Sequence, residues 1–122
     1  MKSTPAPETI ALGQGLYYVV TGIWPLVSMR TFEAVTGPKT DTWLVKTVGV
    51  LVAVIGAALA FAGWRRKVTP ESMVLAAGSA AGLGAIDTVY AMKGRNSKVY
   101  LLDAIGEAEL VVAWAAARRR AA

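Results

Sequence analysis

The chain has 122 residues, of which 55% are hydrophobic, and a net charge of +5 with no cysteine and no histidine. The missing thiols and imidazoles exclude disulfides, thiolate chemistry, the usual zinc sites and haem ligation by imidazole, so neither a metal nor another cofactor is expected. The basic residues gather at the ends of apolar blocks, where membrane topology accounts for them, so nucleic acid is not an expected partner.

The apolar residues come in four blocks, at 10–29, 43–64, 73–92 and 99–117. Each is about 20 residues long, which at 1.5 Å rise per residue matches the roughly 30 Å hydrocarbon core of a bilayer. The expectation is an all-α protein, a single integral membrane domain folded as a four-transmembrane-helix bundle.

The polar lead Met1 to Glu8, with Pro5 and Pro7, carries no assigned role. The first block is read as a retained helix and not a signal peptide, because Lys2 is a lone charge and no small-residue cleavage site follows Met29. Gly15 and Gly22 share a face of it, and the helix should kink or end near Pro25. The connection from Arg30 to Thr42 reads as a half-helix around Phe32 and Val35, then a turn at Thr36-Gly37-Pro38. Thr40 or Asp41 can cap the second span, which stops at Arg65, Arg66 and Lys67.

Thr69-Pro70-Glu71 combines a capping hydroxyl, a proline that loses nothing at the first helical position, and an acid that complements the positive end of the helix dipole. The third span starts there. Its Gly78 and Gly82, four residues apart, predict a place in the bundle interior. Gly94 suits a helix end, Asn96 or Ser97 can cap the fourth span, and Arg118, Arg119 and Arg120 close it. The tryptophans at 24, 43, 64 and 114 lie near span ends, where interfacial anchoring explains them.

Four crossings put both termini on one side. That side holds Lys2, the triplet at 65–67 and the triplet at 118–120; the other holds Arg30, Lys39, Lys93, Arg95 and Lys98, plus Lys46 just inside the second span. The bias favours cytoplasmic termini in a bacterial inner membrane.

Lys46, Asp87, Asp103, Glu107 and Glu109 fall within the spans, where each would cost about 2.5 to 3.5 kcal/mol at the bilayer centre. Lys46, Asp87 and Asp103 should lie at similar depth, so an ion pair or triad among them is expected. Tyr90 follows Asp87 by three residues and Tyr100 precedes Asp103 by three, which places each tyrosine on the face of its aspartate. These residues form either a polar cavity or a structural clasp.

Glu107 lies one turn beyond Asp103 and suits a proton relay, cation binding or general acid chemistry; its structural alternative is a hydrogen bond to Thr21 or Gln14. Glu109, about 200° around the helix from Glu107, must face a flank and is a candidate contact with a neighbouring helix or another protein. The small-residue stripes at Gly49, Ala53, Gly56 and Ala60, and at Gly78 and Gly82, serve packing or self-association.

Asp87-Thr88-Val89-Tyr90, the run Val99-Tyr100-Leu101-Leu102-Asp103-Ala104 with Glu107, and Phe32 through Asp41 resemble small uncharacterised bacterial four-helix membrane proteins. Their general plan is similar to the DoxX-like group, and the resemblance implies no activity. A more distant likeness is to sterol-isomerase-type four-helix proteins, which implies intramembrane carboxylates around a lipid-accessible pocket at Asp87, Asp103 and Glu107.

The functional expectation is an accessory or structural subunit of a membrane complex, or a binder of a lipid-like ligand. Membrane lipid, further copies of the chain or a larger membrane complex are the expected partners. Two alternatives are a membrane enzyme using these carboxylates on a lipophilic substrate and a small proton-coupled exporter. The first span has no acidic residue after Glu8, which argues against the familiar kind of exporter and would put the coupling site on the fourth span.

Overall fold

The computed structural model describes residues 6–37, 41–92 and 99–121, the side chains at 90, 91 and 119–121 excepted. These residues form five helices: α1 (Pro7–Val27), α2 (Met29–Thr36), α3 (Thr42–Trp64), α4 (Pro70–Met92) and α5 (Val99–Ala121). The expected caps at Thr40, Gly94, Asn96 and Ser97 lie outside the described residues, as do Pro38, the basic side chains at 2, 39, 93, 95, 98, 119 and 120, and the side chain of Tyr90.

Three helices are long and apolar enough to cross a membrane: α1, α3 and the 20 residues Pro70–Val89 of α4. The long helix α5 does not join them, because Asp103, Glu107 and Glu109 put three ionisable residues into its most apolar stretch. The described residues are therefore all-α with three clear membrane-spanning candidates, and the fourth crossing does not follow from length and composition alone.

Local chemistry sets the helix ends. Proline occupies the N-terminal turn of α1, where its missing N–H costs nothing. Two residues beyond Pro25 the helix stops at Val27, and Ser28 caps α2 by accepting from the Thr31 amide at 3.3 Å. Trp24 holds this corner: its indole N–H donates to Thr31 Oγ1 at 2.9 Å and its ring meets Phe32 edge-on at 5.4 Å. After α2, Gly37 adopts φ 101°, a region closed to most side chains.

Asp41 occupies the N-cap position of α3 without a side-chain hydrogen bond, so its capping role is positional only. The C-terminus of α3 closes with the Lys67 amide on the Ala62 carbonyl at 2.9 Å and the Arg66 amide on Gly63 at 3.1 Å. Arg66 takes the left-handed conformation, φ 58°, that glycine usually fills there. Thr69 caps α4, its hydroxyl accepting from the Ser72 amide at 3.1 Å.

The long helices form two antiparallel pairs, α1 with α3 and α4 with α5. Small residues recur on α3 at alternating spacings of four and three (Gly49, Ala53, Gly56, Ala60, Gly63), which keeps them on one stripe. Ala11, Gly15, Tyr18, Gly22 and Pro25 repeat the spacing on α1. Gly15 meets Gly56 and Gly22 meets Gly49 so closely that a Cβ on any of the four would sit 2.5–2.6 Å from the partner's carbonyl oxygen. One Cα–H of each glycine therefore points at that carbonyl, a contact typical of helices packed backbone to backbone.

The two pairs join through α1. At the end of the bundle that holds the α3–α4 connection, Ile10, Ala11, Leu59, Ala76, Trp114 and Ala117 bring all four long helices into one apolar core. Gly78 and Gly82 point away from this packing, are exposed, and would have nothing within 4 Å of an added Cβ. The expectation that they lie inside is corrected: α4 packs through Ala76, Ala80, Gly84 and Asp87, on a face beside the two glycines.

Candidate functional site

The polar residues of α1 fall on the face next to its glycine stripe and point at α4 and α5. Gln14 spans three helices: its amide nitrogen donates to the Ala76 carbonyl of α4 at 2.9 Å, and its amide oxygen accepts from the Trp114 indole of α5 at 2.7 Å. Trp114 is 2% exposed. It is a buried hydrogen-bonding residue and not the interfacial anchor its position suggested, whereas Trp43 and Trp64 at the two ends of α3 are exposed.

Gln14→Leu leaves the buried indole N–H of Trp114 unmet and the Ala76 carbonyl with its helical bond alone. The variant should unfold with a loss of about 1 to 2 kcal/mol, measured by denaturant titration in mixed micelles. An unchanged midpoint would show that the two bonds contribute nothing.

One turn further along α1, Tyr18 donates to Glu107 Oε1 at 2.5 Å, and Tyr17 donates to Asp103 Oδ1. Both tyrosines sit at the middle of α1, and Glu107 lies three residues from the middle of α5, about 4.5 Å along the axis. Gly84 of α4 clears the way: a Cβ there would sit 3.1 Å from Glu107 Cβ. Glu107 is 1% exposed and Asp87 8% exposed. The carboxyl groups of Asp87, Asp103 and Glu107 lie near enough for their charges to act on one another.

Three carboxyl groups thus meet in the bundle. Two tyrosine hydroxyls of α1 supply hydrogen-bond donors to Asp103 and Glu107. Asp87 Oδ2 has no hydrogen-bond partner although it is buried.

The expected ion pair is corrected. Lys46 is exposed on α3, and among the described residues no lysine or arginine meets Asp87, Asp103 or Glu107. α3 packs on the glycine face of α1, so its lysine never reaches the polar face. The proposed partners of Glu107 are corrected as well: Thr21 bonds the Tyr17 carbonyl of its own helix, and Gln14 is taken by Ala76 and Trp114. Tyr100 is half-buried in the first turn of α5. Gly49 and Gly56 lie in the α1–α3 contact within the chain.

Glu109 points elsewhere, as the helical geometry required. It is exposed on the wall of a groove of about 520 Å³ between α1 and α5, lined also by Ile10, Gly13, Tyr17, Gly106 and Leu110. The groove is mostly apolar and open along its length. Because Tyr17 forms part of its wall and bonds Asp103, the groove abuts the carboxyl cluster.

Sequence reasoning missed Tyr17, Tyr18 and the Gln14–Trp114 bond. The available signal was the spacing of Gln14 and Tyr18, two hydrogen-bonding residues one turn apart in an apolar span. No protein-family model, curated protein or solved structure matches the chain.

Proposed function

We propose that the chain is a four-helix integral membrane protein of a bacterial inner membrane, with cytoplasmic termini, that binds a lipid-like molecule in the α1–α5 groove. The observation that carries this reading is the groove itself, an apolar cleft whose wall ends on Tyr17 and, behind it, on a buried carboxyl cluster near mid-membrane. Ionisable residues at that depth are costly and mark functional sites by default.

The fourth crossing is supported by the length of α5, 23 residues, and by its antiparallel packing on α4. Of the acids that depress its hydropathy, Glu107 is fully buried and Asp103 is turned toward α1. The cytoplasmic placement of the termini rests on the two basic triplets at 65–67 and 118–120.

Native mass spectrometry of the protein gently extracted from its host membrane tests the reading. A monomer or dimer should carry one retained small molecule, and Gly106→Leu, which fills the groove at a position with open space, should release it. A bare protein would overturn the reading, and so would a complex with other polypeptides, which would make the chain an accessory subunit.

The two tyrosine–carboxyl hydrogen bonds favour a second reading, acid–base chemistry on the bound lipophile, since each can pass a proton between a phenol and an acid. In that case Glu107→Gln would keep the ligand and stop its conversion.

A further inference from the structure

A second groove, of about 500 Å³, runs between α4 and α5 and is lined by no residue of α1. Pro70, Val74 and Ala77 on α4 face Val111, Trp114 and Arg118 on α5, at spacings of three and four that keep each set on one side of its helix. The walls are apolar, and the one charged group among the lining residues is Arg118, in the last turn of α5. Arg118 is exposed, and no acidic side chain among the described residues pairs with it.

Because α5 runs antiparallel to α4, Arg118 stands beside the start of α4, at the bundle end that holds the α3–α4 connection with Arg65, Arg66 and Lys67. All four of these basic side chains are exposed; the acids at the same end are Glu71, exposed, and Glu8, half-buried. The groove therefore has an apolar body and a cationic rim.

We propose that this groove seats an anionic phospholipid of the surrounding bilayer, with one acyl chain against Trp114 and the phosphate at Arg118. The proposal rests on the membrane-spanning reading and not on binding in the α1–α5 groove. A guanidinium presents a planar fork that matches phosphate oxygens, and basic pockets between helices at a membrane surface suit anionic head groups. A zwitterionic lipid carries a phosphate too, but its ammonium adds positive charge to an end that already has an excess.

Trp114 lines the groove and reports its occupant. The test uses a variant in which it is the sole tryptophan (Trp24→Phe, Trp43→Phe, Trp64→Phe), reconstituted into phosphatidylcholine vesicles. Its fluorescence is followed as lipid with brominated chains is titrated in, either phosphatidylglycerol or phosphatidylcholine. Brominated phosphatidylglycerol should reach half-maximal quenching at a mole fraction about fivefold below brominated phosphatidylcholine, and Arg118→Gln should bring the two to within about twofold.

Equal quenching by the two lipids before that substitution would overturn the proposal, as would a preference that survives it. Quenching by neither would also overturn it and leave the groove covered by protein, a second copy of the chain or another helix. Failure to enter the vesicles at all would instead sink the membrane-spanning reading. If the tryptophan variant does not fold, native mass spectrometry of the unmodified chain and of Arg118→Gln, each taken from an equal mixture of the two lipids, decides the matter. The unmodified chain should retain mostly phosphatidylglycerol and the variant should lose that preference; equal retention by the unmodified chain would overturn the proposal.

Discussion

Gly56→Val is expected to leave little folded protein, whereas Gly78→Val is expected to be nearly neutral. At position 56 an added Cβ would sit 2.6 Å from the Gly15 carbonyl oxygen, 2.7 Å from the Val19 amide nitrogen and 2.7 Å from Tyr18 Cβ. Two of these neighbours are backbone atoms and cannot rotate away, so α1 and α3 must part. Parting at Gly56 also loosens Gly15 against Ala60 and Gly22 against Gly49, because the stripe is continuous.

Overpacking a well-packed contact costs about 1 to 3 kcal/mol and sometimes more, and a rigid backbone-on-backbone contact belongs at the upper end. At Gly78 nothing lies within 4 Å, so valine adds only exposed surface. The readout is the yield of monodisperse protein together with the unfolding midpoint in mixed micelles. If the two variants behaved alike, the close approach of α1 and α3 would not be what holds that pair together.

The second large effect is expected at Tyr18 and Glu107, and it takes the form of a non-additive pair. Tyr18→Phe keeps the ring and deletes the hydroxyl, which leaves Glu107, 1% exposed, without its donor. A buried acceptor stripped of its partner costs about 1 to 3 kcal/mol, and more where the group is charged. Glu107→Leu alone leaves the Tyr18 hydroxyl unmet and should also destabilise. The double variant Tyr18→Phe with Glu107→Leu should recover much of either loss, since removing both partners of a buried polar contact is far cheaper than removing one. Additive losses in the double-mutant cycle would show that the two side chains act separately.

The apolar blocks, the half-helix after Ser28 and the start of α4 at Pro70 were legible because each depends on local chain chemistry: length, a capping hydroxyl, a proline. The opposition of Glu107 and Glu109 was legible for the same reason, since it follows from helical rotation alone. Which helix each residue meets was not. Lipid and bundle interior are equally apolar, so a small-residue row facing lipid at Gly78 and Gly82 reads like the packed row at Gly49 and Gly56. The pairing of Lys46 with an aspartate failed on this point, because matching depth does not make α3 a neighbour of α5. Trp114 was misread because an indole near a span end suits the interface and the interior alike, and only its proximity to Gln14 decides.

The two faces of α1 differ in what they need from the rest of the chain. The contact with α3 is complete once residue 64 has been made, since it consists of glycines, alanines and carbonyl oxygens already present in that stretch. Gln14, Tyr17 and Tyr18, by contrast, find their cross-helix partners in α4 and α5, which are synthesised after α3. The first hairpin can therefore close early and carry three unmet polar side chains into the lipid, which makes those side chains the recruiting surface for the second hairpin. Substitutions in the carboxyl cluster then act on that late docking step and leave the early hairpin intact.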